Sequence, residues 1–534
     1  MSRFTQHVPD ILDCLAQLSN DEVPTSPKLV RAMLELLPEH VWHQPRYRWL
    51  DPFSKSGVFL REIATRLLDG LADWEPDFVA RREHIFRNML YGAAITEMTG
   101  MISRRSVYCT ADASSAYSVV RFDDPAGNIP YVPSMHTFDS KGFCKICRAP
   151  ETLVRDNRED YAYSFIHGTY PTEETVGMQF DVIVGNPPYQ IGMKTAEGDR
   201  TANITQLYQY FVEKAIELDP QYVLMIIKAA WFTGGKGLDS FRANMIADRR
   251  LAKIVDNPKL FDCFPGVEIK GGVCYFLWDR DHDGDCEFST RVDGKILSTM
   301  TRDLRDGQGV VVRDNRAASI IAKAHNENTL ADVVSPRDPF GQSITTNYKH
   351  ASPTQEEGMI PLVFGAKVEY VRPDQLQRFH EWVDRWKVLL PMAGDGHGRE
   401  VAYVTGEPIA LAPGSACTQS YLVAGTFGTR EETENYANYL TTKFVRFLVL
   451  QRKATQHLTP ERFRFAPQVD FTRPWTDEQL YDHFGLTGVE REYIESKIMP
   501  REVNWSLDSP IPASHLPGGS KYKPGKVDDD ADED

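Results

Sequence analysis

The stretch at residues 180–190 reads F-D-V-I-V-G-N-P-P-Y-Q and decides how the first half of the chain is interpreted. Residues 181–184 are a short, mostly apolar run, which is typical of a buried strand in a parallel sheet. The two prolines that follow can neither continue a strand nor enter a helix interior, so the strand ends in a rigid loop. Open α/β sheets bind ligands at the carboxyl ends of their strands. The pattern therefore predicts an α/β fold with a ligand site at this loop.

The loop carries the groups needed to hold a flat base with an exocyclic amino group. Asn186 offers an amide oxygen, the Pro187 carbonyl is a second acceptor, and Tyr189 offers an aromatic face. Two acceptors match the two N–H donors of an amino group, and the ring can stack on the base. The alternative interpretation is a turn that is stiffened by Pro187 and Pro188 and happens to contain Asn and Tyr.

An earlier segment predicts the start of a doubly wound nucleotide-binding fold. Residues 47–50 predict a strand, residues 51–57 a loop of small residues, and residues 58–68 an amphipathic helix. Further strands are predicted at residues 90–97, 222–227, 251–255 and 272–278. This strand–helix alternation predicts a Rossmann-like, doubly wound sheet of about seven strands.

The helix predicted before the first strand spans residues 25–37. Thr25 or Ser26 can cap it, and Pro27 fits its first turn. Its apolar residues recur at helical spacing, so one face is expected to pack in the core.

These motifs resemble those of adenine-N6-specific DNA methyltransferases of restriction–modification systems, of the type II and IIG kind. N-P-P-Y at residues 186–189 is similar to the catalytic motif of that family, and D-P-F-S-K-S-G at residues 51–57 is similar to its cofactor motif. Lys55 stands where the family has a glycine. The resemblance implies that S-adenosylmethionine is the cofactor. The residues that it implies for cofactor binding are Thr25, Pro27, Asp51, Pro52, Phe53, Ser56, Gly57, Glu97 and Asn186.

The resemblance also implies the reaction, which is methyl transfer to the exocyclic amino group of an adenine flipped out of double-stranded DNA. Phe264 and Tyr189 are expected to pack against the flipped base. The catalytic residues that it implies are Asn186, Pro187, Pro188 and Tyr189. Glu97 is the acid nearest the end of the second predicted strand and would bind the cofactor ribose; the alternative is an exposed acid at a helix start.

Residues 106–150 interrupt the strand–helix pattern and are expected to form an inserted zinc knuckle. A C-x-x-C pair with one further cysteine and one histidine can supply four tetrahedral ligands. The predicted ligands are Cys109, His136, Cys144 and Cys147. His167 is a rival for the fourth position, and thiols without a metal are the alternative.

Residues 326–510 differ in character and are predicted to form a mixed α+β target-recognition domain, which resembles that part of restriction–modification methylases. A long helix predicted over residues 431–453 mixes aromatic and basic side chains, which suits phosphate contact. Lys443, Arg446 and Lys453 are the expected DNA contacts. The alternative is a buried helix whose cations reach the surface.

The other two predicted parts of the chain have separate roles. Residues 1–325 would bind the cofactor and carry the chemistry. Residues 511–534 would form an acidic, disordered tail, because their composition is rich in proline, glycine and charge.

Composition argues against a membrane or secreted protein. The 534 residues are 42% hydrophobic and 25% charged, with a net charge of −15. No apolar run is long enough to span a membrane, and the first residues contain no apolar signal core, so a cytoplasmic protein without a membrane partner is expected. Contacts to DNA must then come from local basic patches.

Two other functions stay open on sequence grounds. A bifunctional enzyme would also cleave DNA, but only about twenty residues precede the first methylase motif, so a nuclease module is not expected there. A DNA-binding subunit with a degenerate cofactor site is supported by Lys55 and Ala94 and opposed by the intact N-P-P-Y. A separate restriction endonuclease would be a further partner of a methylase.

Overall fold

The computed structural model describes residues 25–151, 162–172, 177–191, 205–233, 235, 237–259, 261–264, 269, 271–341, 348, 350–364, 367–394, 401–453 and 457–501. The chain divides into two compact units, Met1–Asn315 and Arg316–Asp534. The acidic tail predicted at residues 511–534 lies outside the described residues. Within the described ranges, no helix is both long and apolar enough to cross a membrane.

The described part of the first unit is built on an eight-stranded mixed sheet. Its strands are β1 (Trp49–Ser54), β2 (Leu90–Ala94), β3 (Val182–Gly185), β6 (Tyr222–Lys228), β7 (Leu251–Asn257), β8 (Val273–Asp279), β9 (Cys286–Val292) and β10 (Lys295–Arg302); the short strands β4 (Gln190–Ile191) and β5 (Thr205–Gln206) pair separately. The spatial order is β10-β9-β7-β8-β6-β3-β1-β2. Strands β2, β1, β3 and β6 are parallel neighbours, whereas β8 runs antiparallel to β6 and β7. The predicted α/β class is confirmed, but the sheet has eight strands rather than seven.

Two strands of this sheet, β9 and β10, are not among the six that the sequence located, and they pair as an antiparallel hairpin in which β10 is the edge strand. Asp293 and Gly294 connect the two strands, and both have positive φ. Asp-Gly is a preferred pair for a tight hairpin turn because both central positions need that conformation. This dipeptide is the sequence signal that could have predicted the hairpin.

Helices cover the sheet of the first unit. They are α1 (Pro27–Leu34), α2 (Val58–Gly70), α3 (Phe78–His84), α4 (Glu97–Tyr108), α5 (Ser164–His167), α6 (Tyr208–Glu217) and α7 (Asp239–Ala247), with a π-helical turn at Ile85–Met89 and 3-10 turns at Glu39–His43, Ala229–Phe232 and Leu304–Gly307. Ser26 caps α1 as predicted, because its Oγ accepts from the Leu29 amide at 3.3 Å and Pro27 occupies the first turn.

The described part of the second unit combines small sheets with helices. Its strands are β11 (Ile360–Phe364), β12 (Lys367–Val371), β13 (Trp386–Pro391), β14 (Ile409–Leu411), β15 (Ala416–Cys417) and β16 (Tyr421–Phe427). They form the described sheets β12-β11-β15 and β14-β13-β16. Its helices are α8 (Asn315–Lys323), which begins at the division point, α9 (Arg430–Thr441), α10 (Lys443–Leu450), α11 (Asp477–His483) and α12 (Gly488–Lys497), with 3-10 turns at Leu330–Asp332, Pro373–Gln375, His380–Trp382 and Pro460–Phe463.

The prediction of a single helix over residues 431–453 is wrong. Thr442 separates α9 from α10 because its ψ of 148° is not helical. Its Oγ1 then caps the second helix by accepting from the Val445 amide at 3.3 Å. A threonine that can cap a helix offers the backbone an alternative to continuing it.

Candidate active site and cysteine–histidine cluster

The two predicted motif loops meet at the carboxyl ends of β1 and β3. These strands are parallel neighbours, with Trp49 opposite Val182. Gly185 ends β3 with a φ of +146°, and a side chain at this position would collide with the Phe53 ring and lie 2.8 Å from Asp51 Oδ1. Glycine therefore allows the N-P-P-Y loop to lie directly against the D-P-F segment.

A small cavity lies between these two loops. The predicted cofactor residues that line it are Thr25, Asp51, Phe53, Ser56, Gly57 and Asn186. The Asn186 amide Nδ2 donates to Thr25 Oγ1 at 3.0 Å, so the start of α1 orients the predicted catalytic side chain. The structure thus brings together most of the residues that the two motifs suggested, while Pro27 lies in the first turn of α1 and does not line this cavity.

Asp51 and Lys55 are the charged residues in this cavity, and both are buried. Burial raises the pKa of the Asp51 carboxyl to about 7, although hydrogen bonds from the Phe53 amide and the Ser54 side chain and the positive charge of Lys55 oppose that rise. The Phe53 amide lies 3.4 Å from Asp51 Oδ1. Lys55, which replaces the glycine of the family motif, therefore stabilises the ionised form of Asp51.

Gly57 lets α4 pack closely against the loop between β1 and α2. Its φ is +69°, and a Cβ at this position would lie 2.7 Å from the Ser103 carbonyl oxygen. Ser54 and Ser103 also share a hydrogen bond of 3.0 Å between their hydroxyl groups. A side chain at position 57 would have to push α4 away from the loop.

A second small cavity adjoins the ends of β1 and β2. Pro52, Ala94 and Ile95 line it from the sheet, and residues 131–134 and 162–164 supply the other walls. Because Pro52 stands between two residues of the first cavity, the two cavities adjoin the same short segment of β1. Tyr131, Ser134 and Tyr163 were not predicted from the sequence, because no motif marks them: the first two lie in the insertion at residues 106–150, and Tyr163 lies after it.

Glu97 is exposed in the first turn of α4, where Thr96 caps the helix. It does not line the cavity at the ends of β1 and β2. Its role at the cofactor ribose stays a prediction.

Tyr189 and Phe264, the predicted base-stacking residues, lie against each other. Their ring centroids are 6.5 Å apart at an interplanar angle of 69°. They are 2% and 3% exposed, so each ring is buried. Burial also raises the pKa of Tyr189 well above its ordinary value, which keeps the phenol neutral.

The metal-ligand prediction requires one correction. Among the described residues, the ligand atoms of His136, Cys144, Cys147 and His167 all lie within 4.8 Å of one another. Cys109 is wrong as a ligand: it is exposed, and it ends α4 in a left-handed conformation with φ of 65°. The rival residue His167 takes its place, because the one-turn helix α5 brings it to the C-x-x-C turn.

Two of the three expected DNA contacts, Arg446 and Lys453, are buried and bind backbone carbonyls. Arg446 is 1% exposed, and its Nε donates to the Thr441 carbonyl at 2.9 Å. Lys453 is also buried and donates to the Val404 carbonyl at 2.7 Å. For both residues the prediction of a phosphate contact is therefore wrong.

Lys443 differs from these two residues, because its side chain keeps some exposure. It forms an ion pair with Glu495. Its contact with DNA stays a prediction.

Comparison with known proteins relates the chain to restriction–modification methylases. The model of the Eco57I restriction-modification methylase family matches residues 88–264, which include β2, the cysteine–histidine cluster and the N-P-P-Y loop. An uncharacterized adenine-specific methylase of Mycoplasma pneumoniae is 34% identical over 352 residues, which are 60% of this chain and 82% of the relative.

Solved structures that resemble the chain include two complexes, one with DNA and one with a DNA mimic. The DrdV–DNA complex has a TM-score of 0.42 at 12% identity, with 90% of this chain and 57% of that chain covered. A nuclease-deletion mutant of the Type ISP enzyme LlaGI, in complex with a DNA substrate mimic, has a TM-score of 0.43 at 10% identity, with 84% and 53% covered. This chain thus spans little more than half the length of those proteins. Because both TM-scores are low, the family assignment rests on the two sequence matches. By these matches, the chain belongs to the adenine-specific methylases of the Eco57I restriction–modification type.

Proposed function

We propose that the protein transfers a methyl group from S-adenosylmethionine to the exocyclic amino group of an adenine flipped out of double-stranded DNA, as part of a restriction–modification or similar defence system. One observation carries this proposal: Asn186 of the N-P-P-Y loop lines the same cavity as Asp51, Ser56 and Gly57 of the β1–α2 loop. The substrate amino group and the cofactor would therefore meet at one place. A cytoplasmic location belongs to the same proposal.

The donor set of the two adjoining cavities fits this cofactor. Asp51 and Lys55 would face its amino-acid end, since that end carries an ammonium and a carboxylate. Ile95 and Tyr131 would face the flat nucleoside end with apolar and aromatic surface. When bound, S-adenosylmethionine supplies an activated methyl group, so the difficult chemical step depends on the cofactor and not on a reactive side chain.

The residues of the chain would orient the adenine. Asn186 Nδ2 is engaged by Thr25. Asn186 Oδ1 and the Pro187 carbonyl would accept the two amino protons, with Pro188 holding the loop rigid. These two hydrogen bonds would direct the lone pair of the amino nitrogen toward the methyl group of the cofactor. Orientation and electrostatics, rather than a strong base, would therefore accelerate the reaction.

A base can stack on Tyr189 only after the Tyr189–Phe264 pair separates, because the two rings are buried against each other. Flipping a base costs a few kcal/mol of lost pairing and stacking. Stacking between the two rings would offset part of that cost.

The test is Asn186→Ala in the purified chain, measured by transfer of labelled methyl groups from S-adenosylmethionine to adenine in DNA. Loss of a transition-state hydrogen bond costs about 3 kcal/mol, so turnover should fall at least about a hundredfold. Asn128→Ala is the matched control, because the side-chain Nδ2 of Asn128 donates to the backbone carbonyls of Phe86, Arg87 and Leu90 and the residue lies outside both cavities. Near-wild-type turnover in folded Asn186→Ala would contradict the assignment of Asn186 as a catalytic residue.

Three further experiments separate the alternative functions and test for a restriction partner. Cleavage of unmodified DNA in the presence of Mg²⁺ would identify a bifunctional enzyme. Failure to bind S-adenosylmethionine in calorimetry, with DNA binding retained, would identify a DNA-binding subunit with a degenerate cofactor site. Recovery of a separate endonuclease with the purified protein would identify a restriction partner.

A further inference from the structure

The cysteine–histidine cluster has the spacing of a metal site. Cys144 Sγ lies 3.6 Å from His167 Nε2, and Cys147 Sγ lies 3.4 Å from His136 Nδ1. In a tetrahedral zinc site, with Zn–S near 2.3 Å and Zn–N near 2.0 Å, sulfur and nitrogen ligands lie about 3.5 Å apart. The ligand atoms of all four residues lie within 4.8 Å of one another, which is close enough for one ion to lie between them.

The surroundings orient the ligand atoms toward that point. His167 Nδ1 lies 2.9 Å from the Tyr163 carbonyl, which makes Nδ1 the donor and directs Nε2 toward Cys144. The Ile146 amide donates to Cys144 Sγ at 3.4 Å, inside a tight turn in which the Arg148 amide donates to the Cys144 carbonyl. Metal-binding histidines and thiolates are commonly held by such backbone hydrogen bonds.

The cluster also joins the two segments that form the walls of the cavity at the ends of β1 and β2. Tyr131 and Ser134 line that cavity and lie just before His136 in the chain. Tyr163 and Ser164 line it as well, and α5 carries His167 directly after them. Tyr131 is in turn paired with Ala94 of β2. An ion that holds the two histidines together would therefore hold the two walls at a set distance.

We propose that His136, Cys144, Cys147 and His167 bind one structural zinc ion, and that this ion shapes the adjoining cavity so that cofactor binding depends on zinc. The first part stands alone, and the second rests on the proposed function. The ion would have no role in the chemistry, because all four ligand positions come from the protein.

The metal itself is tested on the full chain purified without chelator. We expect one zinc ion per chain by metal analysis, retained in Cys109→Ser and lost in Cys144→Ser and in His167→Asn. Replacement of zinc by Co²⁺ should produce the visible absorption of a tetrahedral site with thiolate ligands. Absence of zinc from the wild type, or loss of zinc in Cys109→Ser with retention in His167→Asn, would overturn the ligand set.

The coupling is tested on wild-type protein by removing zinc with a chelator and then restoring it. Binding of S-adenosylmethionine in calorimetry should weaken about tenfold or more on removal, since the cavity walls are no longer preorganised, and should recover on addition of Zn²⁺. Circular dichroism before and after removal checks that the sheet stays folded. Unchanged affinity in folded, zinc-free protein would overturn the coupling.

Failure of the proposed function gives a different result. If zinc-loaded wild type does not bind S-adenosylmethionine at all, the cofactor assignment fails and the coupling fails with it, whereas the metal content still tests the ligand set. A zinc-containing protein that binds the cofactor equally with and without the metal contradicts the coupling alone.

Discussion

The Asp51 carboxyl is buried, and its ionised form carries the negative charge that the ammonium group of the proposed cofactor would need. Burial raises its pKa from the ordinary 3.8 to about 7. At pH values between 3.8 and about 7, the folded protein keeps a proton on Asp51 that the unfolded chain releases. The protonated carboxyl therefore stabilises the fold at acid pH, and this stabilisation is lost as the pH rises through about 7. The ionised carboxylate therefore destabilises the empty fold while it favours a cationic ligand.

We predict that affinity for S-adenosylmethionine rises about fivefold between about pH 6 and pH 7, because the ionised fraction of Asp51 rises by that factor while the ammonium group of the cofactor stays mostly protonated. Calorimetry across this range measures it. Asp51→Asn should bind weakly at every pH. A flat profile in the wild type would show that Asp51 does not contact the ammonium group.

Lys55 provides a second check on the same residue. Its positive charge lowers the pKa of Asp51, so Lys55→Met should raise that pKa further and move the binding profile to higher pH. Lys259→Met is the matched control, because Lys259 is half-exposed and pairs with Asp293. An unchanged midpoint in Lys55→Met would contradict the electrostatic account.

At the scale of elements, the contact between α4 and the β1–α2 loop depends on Gly57. Gly57→Ala should lower the free energy of unfolding by about 2 kcal/mol or more, since it adds a collision with Ser103 to an unfavourable φ. Gly309→Ala is the control, because Gly309 has a similar φ of +84° and nothing within 4 Å. Urea unfolding compares the two variants, and equal losses would mean that the helix contact contributes nothing.

The break between α9 and α10 is held by Arg446. Its guanidinium donates to the carbonyls of Thr441 and Thr442, where α9 ends. Arg446→Met should therefore destabilise the second unit by about 2 to 3 kcal/mol, because buried carbonyls lose a charged donor. Lys443→Met, which removes a partly exposed ion pair with Glu495, should cost less than about 1 kcal/mol. If Arg446→Met instead kept full stability and weakened the salt dependence of DNA binding, the residue would be a phosphate contact after all.

For the whole molecule, we propose that residues 1–325 bind the cofactor and carry the chemistry while residues 326–510 select the DNA sequence. Exchange of the second segment with that of a related methylase should move the methylated site and leave cofactor affinity nearly unchanged, because base contacts specify sequence. Long-read sequencing of DNA from expressing cells maps the modified adenines. A chimera that still methylates the original sequence would place recognition in the first segment.

The sequence by itself determined the α/β class, most strands of the sheet and the two loops that line one cavity. These features follow from local information: apolar runs predict strands, and Gly, Pro and Asn predict how the chain turns at a strand end. The N-P-P-Y and D-P-F-S-K-S-G loops meet because the carboxyl ends of parallel strands lie at one edge of a sheet. The family assignment from these motifs agrees with the sequence matches.

Only the tertiary structure decided which residues complete the cluster and which cations are buried. His167 rather than Cys109 joins Cys144 and Cys147, because α5 and the end of α4 are placed by packing that no spacing rule predicts. Arg446 and Lys453 have the composition of a basic surface, yet Arg446 donates to the carbonyls of Thr441 and Tyr403, and Lys453 donates to that of Val404. Burial depends on contacts between residues that are distant in the chain, so composition and periodicity do not determine it.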